Sequence, residues 1–220
     1  MDNNFSLPEG FNAQYQDFIG IYDHSIPQSL AQETLDFVKM ASNYNMFNDA
    51  QRFAPIPKTY RNDNDVFLPA AFMDKRLIDT SSGFPTQCLP WALLSTYKDY
   101  IDALASQYIN HYGIDCKVRA YEYKIHIVKP GEGYHIFHYE SQAYEARRRM
   151  FTWLTYIVAT ESGGETEFLY QKMRVEPLVA RTVFFPAEWT HAHRGNPVLK
   201  GSKLYWTGWY EWFRTDFPTG

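Results

Sequence analysis

His138 and Glu140 lie two positions apart in the triplet His-Tyr-Glu. On a β-strand, positions i and i+2 point to the same face, so the imidazole and the carboxylate could reach one metal ion. A second imidazole is available from His191 or His193, which follow an apolar, strand-like run. Two imidazoles and one carboxylate on one face of a metal leave adjacent positions open. This arrangement is typical of non-haem Fe(II) sites, although Mn, Co and Zn accept the same ligands.

Alone, a His-x-Glu triplet is weak evidence for a metal site, because such triplets arise by chance in many chains. The alternative is a solvated histidine and glutamate at a strand edge. The order of the downstream residues strengthens the metal interpretation, since His193 and then a lone Lys203 follow the triplet. His111, His126 and His135 are interpreted as structural or surface groups.

Two helices are predicted in the first half of the chain. From Ser25 to Ala41, apolar residues fall on one stripe, and Pro27 suits a first turn. From about Pro90 to His111, apolar residues recur at spacings of three and four, which is the period of an amphipathic helix. Between these segments, Asn43 to Ala70 has the composition of a long ordered loop with a strand or two.

The second half of the chain is predicted to form strands. Side chains from Arg119 to Val128 alternate with a period of two. Three further strand-like runs, separated by turns, cover Met150–Ala159, Val175–Phe185 and Lys203–Phe213. We therefore expect a mainly β, α+β fold in which a helical N-terminal half buttresses a jelly roll. We expect a single domain over 1–220, with a helical and loop portion at about 1–115 and a jelly-roll core at about 116–216.

Composition narrows the function classes. The formal net charge of -4 and the pI near 6.0 argue against a protein that binds nucleic acid by neutralising many phosphates. No apolar run approaches the ~18 residues that a membrane span needs, so no membrane association is expected. Cys88 and Cys116 are the only cysteines. Two cysteines could form a single disulfide bridge but not a disulfide framework, and so few cysteines favour a cytoplasmic location.

An ordered set of short motifs between Tyr121 and Trp212 resembles the prolyl 4-hydroxylase-like branch of the Fe(II)/2-oxoglutarate oxygenases. The motifs are Pro-Gly-Glu-Gly-Tyr (130–134), His138-x-Glu140, Arg-Met-Phe-Thr-Trp-Leu-Thr-Tyr (149–156), Gly-Gly-Glu-Thr-Glu-Phe (163–168), Phe-Pro (185–186), His-Arg-Gly-Asn-Pro-Val (193–198) and Gly-Ser-Lys-Leu-Tyr-Trp-Thr-Gly-Trp (201–209). The resemblance implies a double-stranded β-helix, which is a form of jelly roll.

The resemblance also implies a ligand set for the metal. His138, Glu140 and His193 match the iron ligands, although most members carry Asp where this chain has Glu140. His193 fits the spacing to Lys203, and His191 stays the alternative ligand because it could share the inward face.

The resemblance assigns the co-substrate to three further residues. Lys203 would bind the distal carboxylate of 2-oxoglutarate, since a buried ammonium is costly unless an anion meets it. Tyr156 and Thr207 fall at positions that can hydrogen-bond the co-substrate.

The implied reaction is hydroxylation of a C–H bond with Fe(II), O2 and 2-oxoglutarate, which releases succinate and CO2. Ascorbate could serve as an accessory reductant. The expected substrate is a peptidyl residue, prolyl first, with free amino acids or other small molecules next. The loops at 43–70 and 140–148 would set that choice. The rival is a cupin-like jelly-roll protein that binds zinc or a ligand without catalysis. A third option is a nucleic-acid dealkylase of the same superfamily, against which the acidic balance counts. The oligomeric state is not predicted.

Overall fold

Two helices lie close to the predicted ones: α1 (Gln28–Asn43) and α2 (Trp91–Tyr112). The computed structural model describes residues 6–44, 48–49, 57–69 and 90–213. Gly113, with a φ of 62°, ends α2 in the left-handed conformation that glycine adopts at little cost. No helix among the described residues combines the length and the apolar character that a membrane span requires.

Strands make up most of the rest of the described chain. They are β1 (Asn12–Gln16), β2 (Ile19–Asp23), β3 (Asn48–Asp49), β4 (Asn64–Pro69), β5 (Val118–Val128), β6 (Tyr134–His138), β7 (Arg149–Val158), β8 (Ser162–Gly163), β9 (Thr166–Phe168), β10 (Met173–Val175), β11 (Thr182–Pro186), β12 (His193–Gly195), β13 (Val198–Lys200) and β14 (Lys203–Trp212). The protein is therefore mainly β, as the alternation of its second half predicts.

The strands form two facing sheets and a small ribbon. The main sheet has the order β1-β2-β11-β7-β14-β5-β4-β3, and the second sheet has the order β10-β9-β12-β6, while β13 pairs with β8. The sheets pack through apolar and polar side chains, because Phe168 meets Phe185 edge to face and Tyr156 hydrogen-bonds Thr166. Two packed antiparallel sheets with these crossovers are consistent with a jelly roll.

The helices cover the outer face of the main sheet. Tyr97 of α2 stacks on Trp206 of β14 with ring centroids 4.5 Å apart, and its hydroxyl donates to Thr155 of β7 at 2.8 Å. Trp206 donates its indole N–H to Thr34 of α1. The large aromatic side chains that raise the aromatic content of the sequence are therefore the packing layer between helices and sheet.

The N-terminal half is less helical than expected. The hairpin β1–β2 and strand β4 both join the main sheet, so the first 115 residues contribute strands as well as the two helices. The segment expected as a loop with a strand or two contains β3 and β4, while residues 45–47, 50–56 and 70 lie outside the described part of the chain. Cys88 also lies outside it.

The register of the main sheet directs one row of side chains into the space between the sheets. Lys203, Tyr205, Thr207 and Trp209 alternate along β14 and therefore share a face. The neighbouring strand β5 places His126 opposite Tyr205. This row forms the floor of the cavity described next.

Candidate metal centre and co-substrate cavity

Three side chains bring their ligand atoms to one point between the sheets. His138 ends β6 and His193 begins β12, and the two residues are paired across these strands. Glu140 Oε1 lies 3.6 Å from His138 Nε2 and 3.3 Å from His193 Nε2. All three ligand atoms lie within 4.8 Å of one another. Two imidazole nitrogens and one carboxylate oxygen at these separations can surround one divalent metal ion.

Glu140 reaches this point from a turn, which differs from the expected strand geometry. Strand β6 ends at His138, and the N–H groups of Glu140 and Ser141 both donate to the carbonyl of Ala187, at 3.0 and 3.1 Å. The backbone at Glu140 is therefore held against the segment after β11. The prediction that both ligands lie on one strand is wrong, because Glu140 lies in the turn after β6. The two side chains nevertheless converge on one point.

Backbone carbonyls orient both imidazoles. His138 Nδ1 donates to the carbonyl of Ile136 at 3.2 Å, and His193 Nδ1 donates to the carbonyl of His191 at 2.9 Å. A carbonyl can only accept, so each Nδ1 carries a hydrogen, and each Nε2, which faces Glu140, is the nitrogen that can bind a metal once it has lost its proton. Burial, together with the neighbouring His193, lowers the pKa of His138 and favours the neutral form that binds a metal.

The second oxygen of Glu140 is already engaged. Trp209 donates its indole N–H to Oε2 at 3.0 Å, and Arg149 Nη1 lies 3.7 Å from the same atom. Burial alone would raise the pKa of Glu140, but hydrogen bonds and charge from His138 and His193 outweigh it and hold the pKa well below its ordinary range. The group is therefore a carboxylate, the form that a metal ligand requires.

His191, the alternative ligand, is directed elsewhere. Its Nε2 donates to the carbonyl of Asp17 at 2.9 Å, in the turn of the β1–β2 hairpin, and its Nδ1 pairs with Thr190. The structure therefore brings His193, and not His191, to Glu140.

Lys203 lines the same space. Its side chain is only 3% exposed, and its ammonium donates to the carbonyl of Gly164 at 2.8 Å. Among the described residues no carboxylate forms an ion pair with it, and burial lowers its pKa to about 8, against the opposing effect of Asp63 and Glu165. A buried ammonium without an acidic partner is stabilised when an anion binds beside it.

The two other residues expected to bind the co-substrate differ in their access. Thr207 lines the cavity and donates its hydroxyl to the carbonyl of Trp153, which leaves its oxygen free to accept. Tyr156 is buried behind the cavity wall, and its hydroxyl pairs at 2.7 Å with that of Thr166, which does line the cavity. Thr166 thus stands between Tyr156 and any ligand.

A cavity of about 220 Å³ connects the metal ligands to Lys203. Its side wall comes partly from the segment before β4, where Arg61 bonds Asp63 and Asp65, and Asp63 bonds His126 at 2.6 Å. Burial of Asp63 is offset by His126 and Arg61, which keep the pKa of this carboxyl far below its usual range. The sequence does not predict this wall. Arg61 lies in a segment with loop composition, and His126 is a single histidine of the kind interpreted as structural.

Tyr134 and Tyr205 complete the wall. Tyr134 stacks on the ring of His138 at 3.6 Å, and Tyr205 stacks on His126 at 4.7 Å. Both tyrosines lie within quoted motifs, but nothing in the spacing distinguishes an aromatic residue that lines a cavity from one that packs in a core.

The comparisons agree with this arrangement. Residues 121–211 match the model of the 2OG-Fe(II) oxygenase superfamily. Among curated proteins, no relative is found by sequence.

Several solved structures share the fold. A viral collagen prolyl hydroxylase from Paramecium bursaria Chlorella virus-1, solved with 2OG, is 18% identical with a TM-score of 0.61, covering 90% of this chain and 97% of its own. A Pseudomonas putida prolyl-4-hydroxylase is 19% identical with a TM-score of 0.63, and the match covers 90% of this chain and 94% of that protein. A Trichoplax adhaerens prolyl hydroxylase, in complex with a hypoxia inducible factor peptide fragment, is 17% identical with a TM-score of 0.67. The match covers 89% of this chain and 84% of that protein.

These likenesses are structural, and the match to the family model is local. The matched segment contains the His-Glu-His cluster and Lys203. Residues 121–211 therefore match the model of the 2OG-Fe(II) oxygenase superfamily, and the chain shares its fold with prolyl hydroxylases.

Proposed function

We propose that this protein is an Fe(II)- and 2-oxoglutarate-dependent dioxygenase that hydroxylates a C–H bond, releasing succinate and CO2. His138, Glu140 and His193 would hold the iron, and Lys203 would hold the distal carboxylate of 2-oxoglutarate. Thr207 and the pair formed by Tyr156 and Thr166 would supply hydroxyl groups along the co-substrate. When bound, the iron and 2-oxoglutarate supply the oxidising chemistry: O2 is consumed, 2-oxoglutarate loses CO2, and one oxygen atom enters the acceptor.

The observation that carries the proposal is the buried ammonium of Lys203, which has no ion-pair partner among the described residues, in the cavity that also holds the metal ligands. A zinc-binding or non-catalytic jelly roll would need the metal ligands but would have no use for a buried cation in the same cavity. A dicarboxylate that reaches the metal with one end offers Lys203 the anion it lacks. No feature of the cavity favours the rival.

The residues of the chain would do three things for the reaction. The carbonyls of Ile136 and His191 keep both imidazoles in the metal-binding tautomer. Burial of Lys203 strengthens its attraction for a carboxylate, because the local dielectric constant is lower than that of water. The side chains of Tyr134, Leu154 and Trp209 in the lining would reduce the access of water to the centre.

The acceptor we favour is a peptidyl prolyl residue, with a free amino acid next. Support comes from the fold shared with prolyl hydroxylases, one of which is bound to a peptide fragment. Among the lining residues, Tyr139 and Gln142 offer an aromatic ring and an amide to such an acceptor.

The proposal is tested by following succinate by NMR. Purified protein is incubated with Fe(II), ascorbate, O2 and 2-oxoglutarate, alone and with proline-rich peptides or free amino acids. We expect succinate in amounts that increase with the acceptor, and none from His138→Ala protein. A protein that binds metal but forms no succinate with or without acceptors would instead be the non-catalytic metal-binding jelly roll.

A further inference from the structure

The surroundings of Glu140 suggest how its carboxylate is held. Glu140 lies in a turn, and its side chain has one more rotatable bond than the aspartate that would reach a metal from a strand. A longer side chain loses more rotamer freedom when it is fixed in one geometry. Its direction must therefore come from contacts outside the metal site.

Two side chains supply these contacts. Trp209 donates to Glu140 Oε2 at 3.0 Å, while Arg149 Nη1 donates to the backbone carbonyl of Glu140 at 3.2 Å and lies 3.7 Å from Oε2. The other oxygen, Oε1, faces His138 and His193. One oxygen is thus reserved for the metal and the other for the protein.

Both contacting side chains are themselves fixed. The guanidinium of Arg149 lies 3.7 Å from the ring centroid of Trp209, and its Nη2 donates to Glu122 at 3.0 Å. Trp209 is only 4% exposed, and the ammonium of Lys124 lies 5.3 Å from the centroid of its indole ring. Such cation–aromatic contacts are stronger away from water, so the indole has little freedom to turn.

The Nε atom of Arg149 is buried and has no hydrogen-bond partner among the described residues. An unsatisfied buried donor costs stability and calls for an explanation. Glu122, Arg149 and Trp209 lie on three adjacent strands, β5, β7 and β14, so the rigid sheet sets their mutual positions.

We propose that Arg149 and Trp209 are positioning residues that hold Glu140 so that a single carboxylate oxygen faces the metal. This inference rests on the proposed metal site. The two residues act through Glu140 and do not touch the metal.

The test measures metal affinity, not turnover. Zn(II) is titrated into the metal-free protein in competition with a chromophoric chelator. Trp209→Phe keeps an aromatic ring beside Arg149 but removes the five-membered ring with its N–H donor, and we expect it to raise the dissociation constant for Zn(II) about 10–100-fold. Arg149→Lys, which keeps the charge but loses the planar fork, should act in the same direction. Trp212→Phe, at an exposed position on the same strand, is the matched control and should leave the constant unchanged.

A double-mutant cycle shows whether the effect passes through Glu140. In Glu140→Ala protein, adding Trp209→Phe should change Zn(II) affinity by less than about twofold, because there is no carboxylate left to position. An unchanged affinity in Trp209→Phe protein, or an equal loss in both backgrounds, would overturn the inference while leaving the metal site intact. Failure of the wild-type protein to bind Zn(II) would instead remove the proposed function and this inference together.

Discussion

Single residues determine what the cavity can bind, and Lys203 is the most informative of them. Its ammonium has no acidic partner among the described residues, and burial lowers its pKa to about 8. The protonated form attracts a carboxylate, so the affinity for 2-oxoglutarate should be full below pH 8. Above it, the affinity should fall by up to about tenfold per pH unit, because the ammonium loses its proton.

This dependence is measured by anaerobic 2-oxoglutarate titrations of the metal-loaded protein between pH 7 and 9.5. Lys203→Arg protein should lack the decrease, because the guanidinium stays protonated throughout this range. Lys200→Met, at an exposed lysine paired with Glu161, is the control and should titrate as the wild type does. The same decrease in Lys203→Arg protein would show that another group is responsible.

The two histidines of the His-Ala-His segment should respond differently to replacement. His193→Ala should abolish tight metal binding, whereas His191→Ala should leave metal affinity within about twofold. Loss of the buried hydrogen bond from His191 to Asp17 should lower the free energy of unfolding by about 1–3 kcal/mol. Chelator competition and urea unfolding measure the two effects. Retained metal affinity in His193→Ala protein would contradict the ligand assignment.

The types of the candidate ligands can be predicted from the sequence, but their geometry cannot. The order of His138, Glu140, His193 and Lys203 is visible in the sequence. The turn that carries Glu140 depends on hydrogen bonds to Ala187, a residue far along the chain. Spacing along the chain carries no information about such a contact.

At the scale of the elements, long periodic segments are predicted well and short ones are not. Helix α2 and strands β5, β7 and β14 lie within about two residues of their predicted bounds, because each buries a regular face. The hairpin β1–β2 is missed because its turn residues, Asp17 and Phe18, both have positive φ without a glycine. The predicted run at 175–185 divides into the end of β10 and most of β11.

Strand β14 is the element on which both the cavity and the helix layer depend. A Cβ atom at Gly208 would lie 2.2 Å from the Glu122 carbonyl oxygen and 2.4 Å from the ring of Trp153. Gly208→Ala should therefore lower the free energy of unfolding by about 1–3 kcal/mol in urea titrations, because neither neighbour can move easily. Gly195→Ala is the control, since its Cβ would have contacts no closer than 3.5 Å, and it should change stability by less than about 1 kcal/mol. Equal effects of the two substitutions would contradict this packing.

For the whole molecule, the single-domain organisation stays a prediction, as does the cytoplasmic location. Strands from both the N-terminal and the C-terminal portions hydrogen-bond in the main sheet, which leads us to expect one cooperative unfolding transition. Near-ultraviolet circular dichroism and far-ultraviolet circular dichroism should give the same thermal midpoint. Mn(II) should raise this midpoint, because a ligand that binds only the folded state stabilises it. Two separate transitions would show two units that unfold independently.

We propose that His138, Glu140, His193 and Lys203 form one site for Fe(II) and 2-oxoglutarate. The most direct test is an anaerobic titration of the metal-free protein with Fe(II) and 2-oxoglutarate, in which the visible charge-transfer band of the chelated keto acid is recorded. We predict a band that is absent in His138→Ala and His193→Ala protein and that needs more 2-oxoglutarate to develop in Lys203→Met protein. Bound Fe(II) without this band at any 2-oxoglutarate concentration would show that these residues do not form a site for the co-substrate.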